Sequence, residues 1–230
     1  MLNFDQMEKM TLQILLYLPA TLELLLLSLL LSIVLGLGAA LSRIYRIPVL
    51  QRVSQAYILL GRAVPTLIIL YVVFYGLPMI LLMIRGQADL TLIAEIPPFA
   101  YAVVGLGLHS GAYLAEIFYS AFYSVPKGQI EASQVIGLST YRTVKNIILP
   151  QALTFALPMM ANEVLNLLKG TSIAALITVV ELFGAANIQA ALTNLYLEIY
   201  ISAALIYWAL SIAIERGFRF AERRAGFYLR

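Results

Sequence analysis

The sequence predicts an all-α integral membrane protein with five transmembrane helices, and three observations support this fold class. Hydrophobic residues make up 62% of the 230 residues, and charged residues make up only 12%. The mean hydropathy of +0.90 lies far above that of a chain with a fully water-facing surface. The apolar residues also fall into runs of the roughly 20 residues that a helix needs to cross the hydrocarbon core of a membrane.

Five such runs give the predicted spans in chain order. The first span lies within residues 12–41, and the second lies within residues 63–84. The second span contains Pro65 and Pro78, which bend or end a helix unless neighbouring groups satisfy the freed carbonyls. The remaining spans are predicted at about residues 99–123, 149–168 and 195–214. The apolar segment 172–180 is too short to cross, so we expect a re-entrant or interfacial piece there.

The lysine and arginine residues predict the orientation of these spans, because they are enriched on the cytoplasmic side. They concentrate in the loop between spans one and two, in the loop between spans three and four, and in the C-terminal tail. These residues are Arg43, Arg46, Arg52, Arg62, Lys127, Arg142, Lys145, Arg216, Arg219, Arg223, Arg224 and Arg230. An odd number of spans, with the N-terminus outside and the C-terminus in the cytoplasm, places all three basic regions on the cytoplasmic side. Asp5 and Glu8 near the start argue against a cleavable signal peptide.

A mostly polar segment, EASQVIGLSTYRTVKNIILP at residues 131–150, interrupts the apolar runs on the predicted cytoplasmic side. We expect two short helices that meet at a corner. Pro126 suits a helix start, Gly137 allows the positive φ of a helix end, and Ser139 or Thr140 can cap the next helix.

The second of these short helices is expected to end at Pro150. The apolar side chains of the segment are expected to pack on the membrane domain, which leaves its polar side chains to a partner. These apolar residues are Val135, Ile136, Leu138, Val144, Ile147 and Ile148. These properties alone also fit an ordinary amphipathic cytoplasmic loop.

The segment resembles the EAA motif of ABC-importer membrane subunits, whose pattern is roughly E-A-A, three residues, G, nine residues and I-x-L-P. The matching residues are Glu131, Ala132, Gly137, Ile147, Leu149 and Pro150, and Ser133 stands where the pattern has its second alanine. The resemblance implies a coupling helix that docks in a cleft of an ATP-hydrolysing subunit. The residues that would transmit its closure are Glu131, Ala132, Ser133, Gly137, Leu138, Ser139 and Arg142.

Three longer stretches, at residues 61–78, 110–132 and 148–182, are similar to signature stretches of the polar amino acid permeases. This resemblance implies a fold like that of type I ABC importers, with one transmembrane permease domain over residues 1–230 and a cytoplasmic coupling loop at 126–150. It also implies the import of polar amino acids. Basic amino acids are a narrower alternative, and another small solute is a competing one.

The same resemblance implies several partners and a location. Two copies of an ABC ATP-binding subunit would hydrolyse ATP, and a second copy of the permease, or a related permease, would complete the pathway. An extracytoplasmic amino acid-binding protein would deliver the substrate. The location implied is the inner or plasma membrane of a prokaryote, where the chain contacts lipid as a multi-pass protein.

Sequence features that are missing argue against chemistry in this chain. No G-x-x-x-x-G-K-[ST] pattern occurs, so ATP and Mg²⁺ are expected on the partner subunit. The chain has no cysteine and a single histidine, His109, which predicts no catalytic site and no metal site. The net charge of +3 is too small and dispersed to favour nucleic acid. Gly105 and Gly107 are expected to permit close helix packing.

Polar residues inside the predicted spans are candidates for a substrate pathway, because ionisable groups in a membrane usually face a polar interior. Glu163 lies well inside the fourth span, with Asn162 and Asn166 beside it. It could meet a substrate ammonium or guanidinium group. Alternatively, it pairs with Lys169 or bonds helices together.

The third and second spans contribute further candidates. Tyr113 and Glu116 lie three residues apart and share one face of the third span. Glu116 lies nearer the cytoplasmic end, where a neighbouring arginine is the favoured partner. Thr66, beside Pro65, could present its hydroxyl or a freed carbonyl to the pathway.

Two other classes of function remain open from the residues alone. A channel or secondary carrier would work without an ATPase, and such carriers often show internal repeats or a coupled ion site. We find no clear repeat in the sequence. A membrane-bound enzyme would need a catalytic constellation, and none is recognisable.

Overall fold

The computed structural model describes residues 4–85 and 96–227, so Arg230 of the basic tail lies outside the described residues. Within these two ranges every regular element is a helix. The first five α-helices are α1 (Phe4–Leu15), α2 (Leu18–Ile44), α3 (Pro48–Ala63), α4 (Thr66–Tyr71) and α5 (Leu77–Arg85). The other six are α6 (Pro98–Tyr123), α7 (Lys127–Val135), α8 (Thr140–Thr143), α9 (Leu149–Thr171), α10 (Leu182–Thr193) and α11 (Tyr196–Phe227).

Four helical segments are long and apolar enough to cross a membrane among the residues that the structure describes. They are Leu18–Ile44, Thr66–Ile84, Thr140–Ile177 and Tyr196–Gly226. They coincide with the first, second, fourth and fifth predicted spans.

The third predicted span corresponds to α6, which has 26 residues but is not among these four apolar segments. The helix packs against α2, α3, α4 and α9, and twelve of its residues are buried. A helix surrounded by protein can carry polar groups that a lipid-facing helix cannot. His109, Ser110 and Glu116 of α6 lower its hydropathy for this reason.

Glycine residues set the distance between α6 and its neighbours. A Cβ atom on Gly107 would lie 2.6 Å from the Leu31 side chain of α2, and one on Gly105 would lie 3.0 Å from Leu70 of α4. The Ser32 hydroxyl donates a hydrogen bond of 3.1 Å to the Gly107 carbonyl across the same contact. The prediction that these two glycines permit close helix packing is confirmed.

Two π-helical turns, Val72–Gly76 and Val144–Ile148, join consecutive α-helices without a break. Each turn is followed at once by a Leu-Pro pair, at Pro78 and at Pro150. A proline ring clashes with the carbonyl four residues earlier, and in both cases that carbonyl lies within the wider π turn. The helix therefore passes through Pro150, and the expectation that it ends there is wrong.

The polar segment forms the predicted corner. Helix α7 begins directly after Pro126, and Gly137 has a φ of +74°, which confirms the predicted left-handed helix end. Ser139 occupies the position before α8, although its side chain makes no capping hydrogen bond.

The packing of this segment differs from the expectation. Ile148 is buried, but the side chains of Val135 and Ile136 are 87% and 73% exposed. Helix α7 turns its Ser133 side inward, so Val135 lies on the opposite side of the helix, and Ile136 follows the last helical residue at the exposed end of α7. The prediction that these two residues pack on the membrane domain is therefore wrong.

The apolar segment after α9 does not form a span of its own. A short 3₁₀ helix, Ser172–Ile177, leads into α10. Glu181 precedes α10 and is completely buried, and its carboxylate accepts hydrogen bonds of 2.8 Å from the Gly184 amide and the Tyr207 hydroxyl of α11. The Leu182 amide donates to the hydroxyl of Thr21 on α2. Polar contacts thus join this segment to the first and last spans.

Candidate functional site

Glu163 of α9 lies against the middle of α6. The Ser110 hydroxyl donates a 2.7 Å hydrogen bond to the Glu163 carboxylate, and both side chains are buried. Ser110 lies near the middle of the 26-residue α6, about 18 Å from either end at 1.5 Å per residue. The carboxylate is therefore held beside the middle of α6.

A cavity of about 240 Å³ opens beside this carboxylate. Its polar lining consists of Thr66, His109, Ser110, Tyr113, Glu163 and Asn166. The Thr66 hydroxyl lies 2.9 Å from Nε2 of His109, and the His109 ring lies 5.2 Å from the Tyr113 ring. Thr66 starts α4 directly after Pro65, so the break between α3 and α4 places its hydroxyl at this depth.

Two further cavities continue from this one toward the α7 end of α6. One of about 370 Å³ is lined by Arg62, Glu116, Ser120 and Asn162, and it shares Tyr113, Glu163 and Asn166 with the first cavity. The other, of about 450 Å³, is lined by Arg43, Gln55, Arg62, Tyr113 and Glu116. We call the three cavities together the polar cleft. Tyr113 lines all three of them.

The structure brings all six predicted pathway residues to the polar cleft. Thr66, Tyr113, Glu163 and Asn166 line the first cavity, whereas Glu116 and Asn162 line the second. These residues come from three different helices, and their proximity depends on the packing of α4, α6 and α9.

The structure also distinguishes between the alternatives for the two glutamates. Among the described residues, Glu163 forms no ion pair with Lys169, and its carboxylate accepts a hydrogen bond from the Ser110 hydroxyl. Glu116 does have an arginine partner, because its carboxylate lies 2.5 Å from the Arg43 guanidinium. Arg43 also stacks over the Tyr119 ring at 3.9 Å. The charge of Glu116 is thus neutralised within the chain.

The sequence analysis missed several residues of the polar cleft, among them His109, Ser110 and Arg62. His109 and Ser110 lie four and three residues before Tyr113, so they share its helical face, and this spacing could have revealed them. Arg62 was counted only as a basic loop residue. The sequence gives no direct sign that α3 packs along α6, where the Gly61 backbone approaches Ala112.

The cleft is suited to binding by charge and hydrogen bonding. A carboxylate, an amide, hydroxyls and an imidazole line the first cavity. In the part of the chain that the structure describes, no group of three histidine or acidic side chains could hold a metal ion.

A second candidate site lies at the corner between α7 and α8. Five of the predicted coupling residues are exposed: Glu131, Ala132, Gly137, Ser139 and Arg142. Leu138 is half-buried. The apolar side chains of Val135, Ile136 and Tyr141 are also exposed here, by 87%, 73% and 72%.

Ser133 differs from the other predicted coupling residues. Its side chain is only 1% exposed, donates a 2.6 Å hydrogen bond to the Ile130 carbonyl, and lies 3.0 Å from the Thr143 hydroxyl. Ser133 therefore does not lie on the exposed surface of the corner, and its role in coupling stays a prediction. The serine instead joins α7 to α8 from the inside.

Comparisons with known proteins point to one family. The family model described as "Binding-protein-dependent transport system inner membrane component" matches residues 7–226. The L-cystine transport system permease protein TcyL of Bacillus subtilis is 40% identical over 208 residues, which cover 90% of this chain and 85% of that protein. A probable amino-acid ABC transporter permease protein of Vibrio harveyi, PatM, is 33% identical over 96% of each chain.

A solved structure shares both the fold and part of the sequence. The crystal structure of an amino acid ABC transporter with histidines has a chain that matches with a TM-score of 0.83 and 30% identity. The match covers 97% of this chain and 99% of that one.

Proposed function

The chain belongs to the binding-protein-dependent transport system inner membrane components, and from this membership we propose that it carries polar amino acids through the polar cleft. It is the non-enzymatic permease subunit of an ATP-driven importer, and the ATPase is a separate subunit. The cystine permease and the transporter with histidines support an amino acid as the substrate of this chain.

The observation that carries the proposal is the buried Glu163 carboxylate at the middle depth of the helices. A charged group at such a depth is expensive unless it faces a polar interior or a partner. Among the described residues this carboxylate has no cationic partner, and it faces a cavity lined by hydroxyl, amide and imidazole groups. A cationic group of a substrate would complete the site.

This charge favours a basic side chain as the narrower substrate class. The guanidinium of arginine, the ammonium of lysine and the protonated imidazole of histidine would each pair with Glu163. Asn166 and Asn162, which line the same cleft, would offer amide oxygens to the remaining N–H groups. The neighbour solved with histidines is compatible with this class.

The topology that we propose has five spans, with α6 as the third, the N-terminus outside and the C-terminus in the cytoplasm. The corner between α7 and α8 would then face the cytoplasm. The exposed apolar side chains at this corner, Val135, Ile136 and Tyr141, support a docking site for an ATP-binding subunit. A type I importer would carry two such subunits.

The remaining parts of the assembly follow from the same reading. A second permease, either a copy of this chain or a relative, would close the open side of the polar cleft. An extracytoplasmic binding protein would deliver the amino acid, in keeping with the description of the family. The complex would lie in a prokaryotic inner membrane, a location that the description of the family supports.

In the proposed mechanism the substrate leaves the binding protein and enters the cavity beside Glu163. ATP binding and hydrolysis on the partner subunits move the corner between α7 and α8. The cleft then opens toward the cytoplasm, along the cavities that Tyr113 and Arg62 line. The carboxylate holds the cationic group until that side opens.

The test is amino acid uptake into proteoliposomes that contain the chain, its ATP-binding subunit and its binding protein. We expect uptake of L-arginine, L-lysine or L-histidine that requires ATP, and Glu163→Gln should lower it by at least tenfold. Glu215→Gln is the matched control, because Glu215 lies on the exposed side of α11 and pairs only with Arg219. Uptake without ATP would favour a secondary carrier, and equal uptake by Glu163→Gln would remove Glu163 from the site.

A further inference from the structure

Arg62 lies at the end of α3, where the helix packs tightly on α6. A Cβ atom on the preceding Gly61 would lie 2.5 Å from the Ala112 side chain, so the two backbones approach closely at this point. The contact places the Arg62 guanidinium 5.5 Å from the Tyr113 ring centroid. The Tyr113 hydroxyl also lies 3.4 Å from the Arg62 carbonyl. Arg62 is therefore positioned inside the polar cleft at the depth of Tyr113.

The charge of Arg62 is not neutralised by the described part of the chain. The two arginines of the cleft differ in this respect, since Arg43 lies 2.5 Å from the Glu116 carboxylate, whereas Arg62 has no carboxylate within ion-pair distance. Its side chain is exposed to the cavities that it lines. The guanidinium is therefore free to meet an anionic group of a ligand in the cavity of about 370 Å³ that it lines.

The cleft holds one unpaired charge of each sign. Glu163 and Arg62 line the same cavity of about 370 Å³ but do not form an ion pair with each other. Tyr113 lines this cavity as well, and its ring lies beside the arginine. Two opposite charges that are kept apart across a cavity match a ligand that carries both charges itself.

An α-amino acid is such a ligand, because its ammonium and carboxylate groups are bonded to one carbon atom. An arginine guanidinium forms two parallel hydrogen bonds with a carboxylate, a geometry that lysine cannot reproduce. We infer that Arg62 binds the α-carboxylate of the substrate while Glu163 binds a cationic group of the same molecule. This inference rests on the proposed function and adds a specificity residue to it.

The inference predicts which analogues the membrane site rejects. Decarboxylation of arginine gives agmatine, and decarboxylation of histidine gives histamine; both amines keep a cationic group for Glu163 but offer nothing to Arg62. The membrane site is therefore expected to bind the amino acid more tightly than the corresponding amine. The loss should be roughly 10- to 100-fold, the range for a lost charge-assisted hydrogen-bond pair.

The experiment measures ligand binding to the purified complex of permease and ATP-binding subunit. The binding protein is left out, so that only the membrane site discriminates between ligands. The probes are the twenty proteinogenic amino acids, with agmatine and histamine. Arg62→Gln should weaken the binding of L-arginine or L-histidine by roughly 10- to 100-fold and leave the corresponding amine unchanged. Arg62→Lys should recover only part of the loss.

Glu163→Gln provides the contrasting variant, because it should weaken the binding of the amino acid and of the amine alike. Arg52→Gln, an exposed arginine on the same helix that does not line the cleft, is the matched control. Size-exclusion chromatography confirms that each variant remains assembled.

The outcomes distinguish the role of Arg62 from the proposed substrate site at Glu163. If the Arg62→Gln variant binds the amino acid as well as the wild type does, Arg62 does not bind the carboxylate. The same conclusion holds if the variant loses binding of the amine and of the amino acid equally. The role of Glu163 would survive that result if Glu163→Gln still lost binding. If none of the twenty amino acids binds the wild-type complex, the membrane site and the role of Arg62 both fall.

Discussion

The hydroxyl of Thr143 lies 3.0 Å from the hydroxyl of Ser133, and this contact joins α8 to α7 across the corner. Ser133 donates its own proton to the Ile130 carbonyl, so Thr143 acts as the donor between the two hydroxyls. Both side chains are buried. The angle between the two short helices therefore depends on a buried hydrogen bond.

The first prediction concerns this contact. Thr143→Val keeps the shape of the side chain but removes the hydroxyl, which should cost about 1 kcal/mol of stability and loosen α7 against α8. We expect more ATP hydrolysed for each amino acid taken up by the reconstituted transporter. Thr143→Ser retains the hydroxyl and should behave like the wild type. An unchanged ratio in Thr143→Val would show that the corner is fixed by other contacts.

The second prediction concerns the exposed apolar side chains of the corner. Ile136→Asp places a charge on a side chain that is 73% exposed, so the isolated chain should keep its thermal stability. Binding of the ATP-binding subunit should fall by at least tenfold in a pull-down assay, because the charge would be buried at the interface. Ile136→Leu should bind normally. Undiminished binding by Ile136→Asp would place the docking surface elsewhere.

The third prediction concerns the contact between α6 and α2. Gly107→Ala introduces a Cβ atom that would lie 2.6 Å from the Leu31 side chain, so that side chain or one of the two helices must shift. Overpacking of this kind costs about 1–3 kcal/mol, and the thermal unfolding midpoint in detergent should fall. Gly128→Ala is the control, because no atom lies within 4 Å of its added Cβ. Equal midpoints for the two variants would contradict the close packing.

The fourth prediction concerns the buried carboxylate of Glu181. Tyr207→Phe removes a 2.8 Å hydrogen bond to a carboxylate that is completely buried, which should cost about 1.5–3 kcal/mol. The exposed pair of Tyr200 and Asn187, at 3.0 Å, provides the comparison, and Tyr200→Phe should change stability little. Thermal unfolding in detergent measures both. The Thr21 hydroxyl also donates to this carboxylate, at 3.4 Å. A small effect at Tyr207 would mean that Thr21 and the Gly184 amide suffice to hold the carboxylate.

Much of the fold could be predicted because a membrane imposes a length and a polarity on each span. The apolar runs around Leu24, Leu70, Leu167 and Ile206 all lie in helical segments that are long enough to cross a membrane. The central helix α6 also has the predicted bounds, although its hydropathy is lower, because protein contacts replace lipid around Gly107. Glycines with the spacing of close packing were visible in the sequence.

The candidate site could be predicted only in part. Glu163 and Asn166 were found because polar residues inside an apolar run are conspicuous. Arg62 was not found from the sequence, because its place in the cleft depends on how α3 packs along α6. The exposure of Val135 and Ile136 could not be read from the sequence either, because exposed apolar side chains and those of a core look the same in a sequence.

The helix that contains Glu163 has a mechanical consequence, because it begins at the corner itself. Helical structure continues from Thr140 through the π turn into α9 as far as Thr171. At 1.5 Å per residue, about 35 Å of rod separates Thr140 from Glu163. Sharp bends in helices occur at π turns and at prolines, so this helix is expected to bend at the turn Val144–Ile148 with Pro150 and at Pro158. If an ATP-binding subunit docks at the corner as proposed, a rotation applied at Thr140 would be transmitted along this helix to the Glu163 carboxylate, less what the bends absorb.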